Sequence, residues 1–396
     1  MREVYADHAA TTPMAPEVLA AMEPYLGGAF GNASSAHRRG EAAREAVEVA
    51  RLRVAALVGA LPEEVVFTAS GSEANNLALK GALAGLEFAT GGARRRRRLV
   101  VSAIEHPSVL EAARHLETLG FPLTVLPVGA NGVLDPERVR RSLGDDVGLV
   151  SVMWVNNEVG TIQPVREIAA LAHAAGALFH CDAVQAAGRL PIAVPEEGVD
   201  LLSLAGHKLG GPPGAASLYV RRRVRLVPLV HGGPQERGRR AGTEALPALV
   251  GLGVAAERTQ RRLTTGEPGR LGLLGERLRT GLLAACPDAF ASGDPAQRVP
   301  SIVNVCFRGV DGEALLHELD RQGISVSTGS ACSAATPGPS HVLTAMGLPA
   351  ADAHASVRFS LGEGNEEADI DWILEATPAA VAHLRAMHGP GVRRSA

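Results

Sequence analysis

The sequence predicts an α/β fold, with a mostly parallel central sheet sandwiched by helices and a smaller α+β domain beside it. Three observations lead there. Short β-rich runs alternate with helical spacings through most of the chain. Residues 149–154 form a run that is apolar at every position but Ser151, as in a strand buried on both faces. Polar or ring-bearing residues follow one strand after another, at 106, 157, 182 with 185, and 207 with 208. That is the edge at which open α/β sheets bind ligands.

In chain order, 65–68 is a strand closed by Ser70 and Gly71, and 72–86 has helical spacing through Leu77, Leu79, Leu83 and Leu86. Residues 99–102 form the next strand and 108–119 the next helix. Asp135 caps a helix that opens on Pro136. Strand 149–154, helix 165–175 and strands 178–181, 201–204 and 217–220 complete the series. Beyond Glu244 the pattern changes. A helix over 246–263 runs into the polar stretch 264–269; 302–307 and 356–360 then read as strands, and 312–322 and 366–374 as helices. The expected division is a large domain over 15–263 and a small one made of 1–14 and 264–396. The small one carries a loop of small residues at 325–340.

Composition excludes several classes. The chain has 396 residues with 39 Lys+Arg against 42 Asp+Glu, so neither a polyanion partner nor direct nucleic-acid binding is expected. The 4 cysteines, at 181, 286, 306 and 332, form no CxxC pair. A disulfide framework and a zinc ribbon are thereby ruled out, and no metal site is expected. The N-terminus lacks the apolar core of a secretory signal, and no long uncharged apolar stretch exists to span a membrane. A cytoplasmic setting follows as the expectation, with thiols kept reduced. Arg94 to Arg98 read as a solvated loop, with a docking patch for an acidic partner as the sharper alternative.

The strongest chemical signal is Ser203-Leu-Ala-Gly-His207-Lys208 running into a Gly/Pro-rich loop. A lysine at the end of a buried strand is desolvated, which favours the nucleophilic free amine. Lys208 is therefore a candidate Schiff-base former with a carbonyl substrate or pyridoxal phosphate; an exposed loop lysine is the alternative. Asp182 ends another strand. Opposite a pyridinium it would keep the ring nitrogen protonated, with Gln185 positioned to bond a ring oxygen; a helix N-cap is its bland reading. Gly71 and Ser72 open a helix whose free amides suit a phosphate. Cys332 sits in a run of small residues, which suits a mobile and reactive thiol; an inert loop cysteine is the alternative. Arg358 lies within a strand, and an inward arginine needs an anion, either a substrate carboxylate or an internal acid.

With these residues in place the chain resembles the pyridoxal phosphate-dependent cysteine desulfurases of the NifS/IscS type, within the class V aminotransferase fold. The likeness runs from the Tyr5–Pro13 segment to Ile373 and includes Phe30-Gly-Asn-Ala-Ser-Ser-Ala-His37 and His231-Gly-Gly-Pro-Gln-Glu236-Arg237-Gly. It implies the fold of type I pyridoxal phosphate transferases. It also implies conversion of L-cysteine to L-alanine, with sulfur held as a persulfide on Cys332 and passed to an acceptor or iron–sulfur scaffold protein. By this resemblance Lys208 is the Schiff-base lysine and Asp182 the partner of the pyridine nitrogen. Gln185 and Asn157 are ligands of the ring oxygen, and His106 is the imidazole stacked on the ring and a proton carrier. Gly71, Ser72 and His207 hold the phosphate. Thr243 reaches the phosphate of a second subunit, so a homodimer is implied. Arg358, with Asn157, holds the substrate carboxylate. The rival activities are selenocysteine lyase, an aminotransferase, and a cofactor-free scaffold for iron–sulfur assembly proteins. Two departures stand out. Ala205 replaces the usual serine, removing one hydroxyl donor worth about 1 kcal/mol. The loop after the lysine reads Gly211-Pro-Pro-Gly214 where the family usually has GPKG.

Overall fold

The computed structural model describes residues 2–89, 96–329 and 338–388. Seven strands form the main sheet, in the order Val65–Thr68, Ala216–Val220, Leu201–Ala205, Leu178–Asp182, Val147–Ser151, Arg98–Ser102 and Leu123–Leu126. Ala216–Val220 runs antiparallel to both of its neighbours, and every other pairing is parallel. Six C-terminal ends therefore share one edge, and each parallel step needs a crossover, which helices supply.

Alternation along the strands sends side chains to two separate cores. Val66, Leu99, Val101, Leu149 and Leu201 pack on one face. Phe67, Val100, Val150, Phe179, Leu202 and Leu204 pack on the other, beneath helices Arg38–Val58 and Leu246–Thr264. Those two helices meet closely: a Cβ on Gly253 would lie 2.6 Å from Ala50 Cα, so only glycine fits there. A third core, around Val305, Phe307, Val357 and Phe359, belongs to a four-stranded antiparallel sheet in the order Ser327–Thr328, Ser356–Ser360, Ile302–Phe307, Ala289–Ser292.

The structure revises several expected elements. The apolar run 149–154 stays a strand only to Ser151. Beyond it the Val152 and Trp154 amides still bond the His180 and Asp182 carbonyls, at 3.1 and 2.9 Å, as the chain peels toward the site. The polar stretch 264–269 is a sharp turn at Gly266 (φ 80), and a helix, Glu267–Ala285, restarts at once. The helix expected over 72–86 extends over Gly71–Asn76, Leu77–Gly81 and Ala82–Ala89, with a π-type turn in the middle. The arginine run is not a solvated loop where it is described. Arg96 donates to the carbonyl of Ala175 at 2.8 Å, Arg97 lies over the Phe121 ring, and Arg98 pairs with Asp146 through two bonds. Arg94 and Arg95 lie outside the described residues.

The N-terminal segment stitches the two sheets together. Val4–Tyr5 pairs with Ile324–Ser325, and the Ser360 amide donates to the Ala6 carbonyl at 2.7 Å. The chain then crosses above the end of strand Leu201–Ala205, where the Thr12 amide and hydroxyl both donate to the His207 carbonyl.

Candidate active site

The shared strand edge opens onto a cavity of about 270 Å³. Strand ends and the turns after them bring His106, Asn157, Asp182 and Gln185 to its wall. Gly71 and Ser72 reach it from a helix start, and His207 and Lys208 from the short turn Gly206–Lys208. Eight of the residues singled out in the sequence thus meet at one place. A larger cavity of about 480 Å³ also has Lys208 in its lining, among residues of the N-terminal segment, Arg189, Arg258 and Arg262. The smaller one gathers the strand ends and is the candidate site.

Lys208 Nζ donates to the carbonyls of Ala9 and Ala10, so the amine is held by oxygen dipoles of the overlying segment. Asp182 is buried, and both its oxygens are fixed: Oδ1 accepts from the Val184 amide at 3.0 Å and Oδ2 from Asn75 Nδ2 at 2.7 Å. Gln185 Nε2 donates to the Ala9 carbonyl at 2.8 Å, which leaves its Oε1 buried without a partner. His207 Nδ1 lies 3.1 Å from Thr11 Oγ1, and burial, then Lys208, pushes its pKa down to about 4. Ser70 caps the helix that follows, its hydroxyl accepting from the Glu73 amide at 3.1 Å. The amides of Gly71 and Ser72, the first two of the helix, have no acceptor within it, and both residues line the cavity. An amine, a buried carboxylate and the start of a helix lining one cavity fit a phosphorylated pyridine aldehyde.

Other sequence candidates are placed differently. Arg358 is buried but does not line the cavity. Its Nη2 lies 2.6 Å from Asp7 Oδ1, its Nη1 donates to the Asn157 carbonyl at 3.0 Å, and its Nε has no partner. The internal acid is thus present, and of the three guanidinium nitrogens only the buried Nε is unpartnered. Thr243 is exposed and away from this cavity. Cys332 lies outside the described residues. Flanking it on either side, Gly329 and Ser340 converge on buried Glu158: Ser340 Oγ donates to its Oε2 at 2.5 Å, and a side chain at Gly329 would collide with the same oxygen. Burial lifts the Glu158 carboxyl to about 7, against the Ser340 bond and Arg358.

Asn75 and Ser108 were not legible as site residues. Asn75 lies on the inner side of the helix beginning at Gly71, four positions on, so a polar residue at a buried helical position was the available signal. Glu105 was another. It is fully buried; Ser102 Oγ and the Met153 amide donate to Oε1 at 2.5 and 2.8 Å, and Oε2 has no partner. Burial raises its pKa to about 8, with Asp182 adding to the rise and the two bonds opposing it. The folded state therefore holds one proton more than the unfolded chain between about pH 4.5 and 8. The stability linked to that proton is complete below the lower value and lost as pH rises through the upper. Glu105→Gln should flatten this slope by up to ~1.4 kcal/mol per pH unit. Thermal unfolding of both proteins from pH 5 to 8 measures it, and parallel curves would contradict it.

Comparison with known proteins gives one answer. The profile of the class-V aminotransferases matches residues 4–373. A cysteine desulfurase of Gluconacetobacter diazotrophicus is 46% identical over 389 residues, covering 98% of this chain and 95% of the relative. Among solved structures, a NifS-like protein superposes with a TM-score of 0.89 at 34% identity, covering 97% of this chain and 100% of the other. SspA, solved in complex with cysteine, gives 0.77 at 37% identity, over 90% of this chain and 98% of the other. With its site at the shared edge of a mostly parallel sheet and these relatives matched almost end to end, the chain belongs to the class-V aminotransferase family.

Proposed function

We propose that the protein is a cysteine desulfurase that converts L-cysteine to L-alanine and hands on the sulfur as a persulfide. The observation that carries this reading is Lys208 at a strand end, facing the same cavity as the doubly anchored Asp182. The cofactor is pyridoxal 5'-phosphate. Asp182 would hold its ring nitrogen, Gln185 and Asn157 its ring oxygen, and Gly71, Ser72 and His207 its phosphate, with His106 against the ring. Bound there, it supplies an electron sink for the bonds at the substrate's α carbon.

The chain's own residues do the rest. Lys208 Nζ, fixed by two carbonyls, moves the α proton. Arg358 is read as the clamp on the substrate carboxylate, which would take the place of Asp7 at its Nη2 and so set which bond is broken. Cys332, as thiolate, attacks the substrate sulfur. A sulfur–sulfur bond forms, the carbon–sulfur bond breaks, and its electron pair stays with the fragment that becomes alanine. Thr243, exposed in a single chain, is read as reaching the phosphate of a second subunit, so the enzyme is a homodimer. Residues 15–263 would form the cofactor-binding domain, and 1–14 with 264–396 the smaller one; the core built from Val4, Ala6 and residues between 271 and 384 supports that division. We place the reaction in the cytoplasm, with an iron–sulfur scaffold or another sulfur acceptor as partner. Among the described residues no helix is long and apolar enough to cross a membrane.

Cys332→Ala tests the persulfide step. The variant should keep the cofactor's absorbance and still bind cysteine, yet release at least about 100-fold less sulfide in the presence of thiol, as expected for loss of the nucleophile. Undiminished desulfuration would overturn the reading.

A further inference from the structure

Four side chains at the cavity are linked in a single line. The Ser108 amide donates to His106 Nδ1 at 3.1 Å, and the Ser108 hydroxyl lies 2.8 Å from the same nitrogen. Asn75 Nδ2 donates to Ser108 Oγ at 2.9 Å and to Asp182 Oδ2 at 2.7 Å. The direction of each bond follows from the groups present. A carboxylate only accepts, so the nitrogen of the Asn75 amide must face Asp182, and its second hydrogen then goes to Ser108. With that oxygen accepting, the Ser108 hydrogen is free to point at His106. A backbone N–H also points at Nδ1, and it can only donate. Nδ1 therefore carries a lone pair, and the ring proton sits on Nε2.

We propose that Asn75 and Ser108 are positioning residues that lock His106 as a neutral Nε2–H imidazole and tether it to Asp182, so that His106 serves as a fixed hydrogen-bond donor and not as a carrier of the proton. This rests on the desulfurase reading for the identity of the cofactor and the substrate. An imidazolium would need a hydrogen on Nδ1, facing the Ser108 N–H, and the line would lose two bonds. The groups facing the ring act in the same sense on balance. Burial disfavours the charged ring; the Asp182 carboxylate opposes this, and Lys208 and His341 add to it. His341 approaches from helix His341–Ala345, where its Nε2 lies 2.9 Å from the Glu105 carbonyl. Glu105, next in the chain to His106, is fully buried, and burial raises its pKa to about 8. With Asn75 and Ser108 in place, the cofactor's nitrogen partner and the ring-side imidazole respond to one network, so disturbing one member shifts the other.

The test uses the holoenzyme labelled with ¹⁵N-histidine. At pH 7, two-bond correlations should show His106 with a pyridine-like Nδ1 and a pyrrole-like Nε2. Ser108→Ala removes one of the two donors at Nδ1. The acid limb of the kcat/KM profile should then move up by about half to one pH unit, as loss of one hydrogen bond predicts, and Ser108→Thr should restore it. Asn75→Ala should release cofactor about tenfold more readily, read by equilibrium dialysis. An Nδ1–H or doubly protonated ring at pH 7 overturns the proposal, as does a Ser108→Ala variant whose ring shifts and acid limb do not move. The tautomer is read without any turnover, so its failure is distinct from failure of the desulfurase assignment.

Discussion

Lys208→Ala is expected to lose at least ~10⁴-fold in kcat, together with the visible absorption of the bound cofactor. Two features of the site make this the largest effect on activity. Lys208 is the amine that the turn after strand Leu201–Ala205 brings to the cavity shared with Asp182. Its Nζ is also held by the carbonyls of Ala9 and Ala10, which line the same cavity. Lys208→Arg separates charge from chemistry: the guanidinium keeps the positive charge but cannot lose its proton at neutral pH or form a covalent link. It should be as inactive as alanine. Partial rescue of the alanine variant by small primary amines would show that the missing element is a movable proton acceptor. Wild-type turnover in either variant, or an unmoved absorption band, would remove Lys208 from the reaction.

How much of this was legible beforehand varies with the kind of interaction. The parallel sheet was, because strands such as Val147–Ser151 and Leu201–Ala205 are buried on both faces and read as apolar runs between helical spacings. The strand-end residues were, because function at that edge needs polar groups immediately after apolar ones: Asp182 and Lys208 announce themselves by position. Helix Glu267–Ala285 was not, since its start, Gly266-Glu-Pro-Gly, has the composition of a loop, and Pro268 reads as a break although proline is welcome in a first helical turn. Nor was Asn75 or Ser108. The contact of Ser108 with His106 is local, but the link of both to Asp182 depends on Asn75, on a helix that leaves from a different strand, and its buried polar character marks the position without naming those partners. Arg358 was legible as an arginine needing an anion, but its engagement with Asp7, 351 positions away, was not. At Arg96 to Arg98 the arginine run misled because composition alone cannot tell a solvated arginine from one that caps carbonyls, as Arg96 does.

The same limit applies to the second large effect, which concerns stability. Glu236 and Arg237 adopt left-handed backbone conformations, φ 47 and 56, in a segment whose sequence, Gly233-Pro-Gln-Glu-Arg-Gly, signals only a turn. For residues with a Cβ that conformation costs about 1–2 kcal/mol each. The compensation is a buried pair: Arg51 Nη1 and Nη2 donate to the two Glu236 oxygens at 2.7 and 2.9 Å, and both side chains are 4% exposed. The Phe67 amide donates to the same carboxylate at 2.8 Å, and Arg51 also bonds the Val65 carbonyl and lies over the Phe67 ring. One carboxylate therefore ties helix Arg38–Val58, edge strand Val65–Thr68 and the turn together. The turn leads on to Arg240, which pairs with Glu73 at the start of the helix that opens the cavity. Glu236→Ala leaves the buried guanidinium with only the half-exposed Glu48, 3.0 Å from its Nε, and should destabilise the fold by about 3 kcal/mol, the lower end of the cost of breaking a buried pair. Replacing both partners with apolar residues, Arg51→Met with Glu236→Leu, leaves no uncompensated charge and should cost much less than the two single changes summed. Denaturant unfolding of the four proteins gives the coupling energy directly. A coupling near zero would mean that the pair does not hold the turn, and the left-handed residues would then need another source of support.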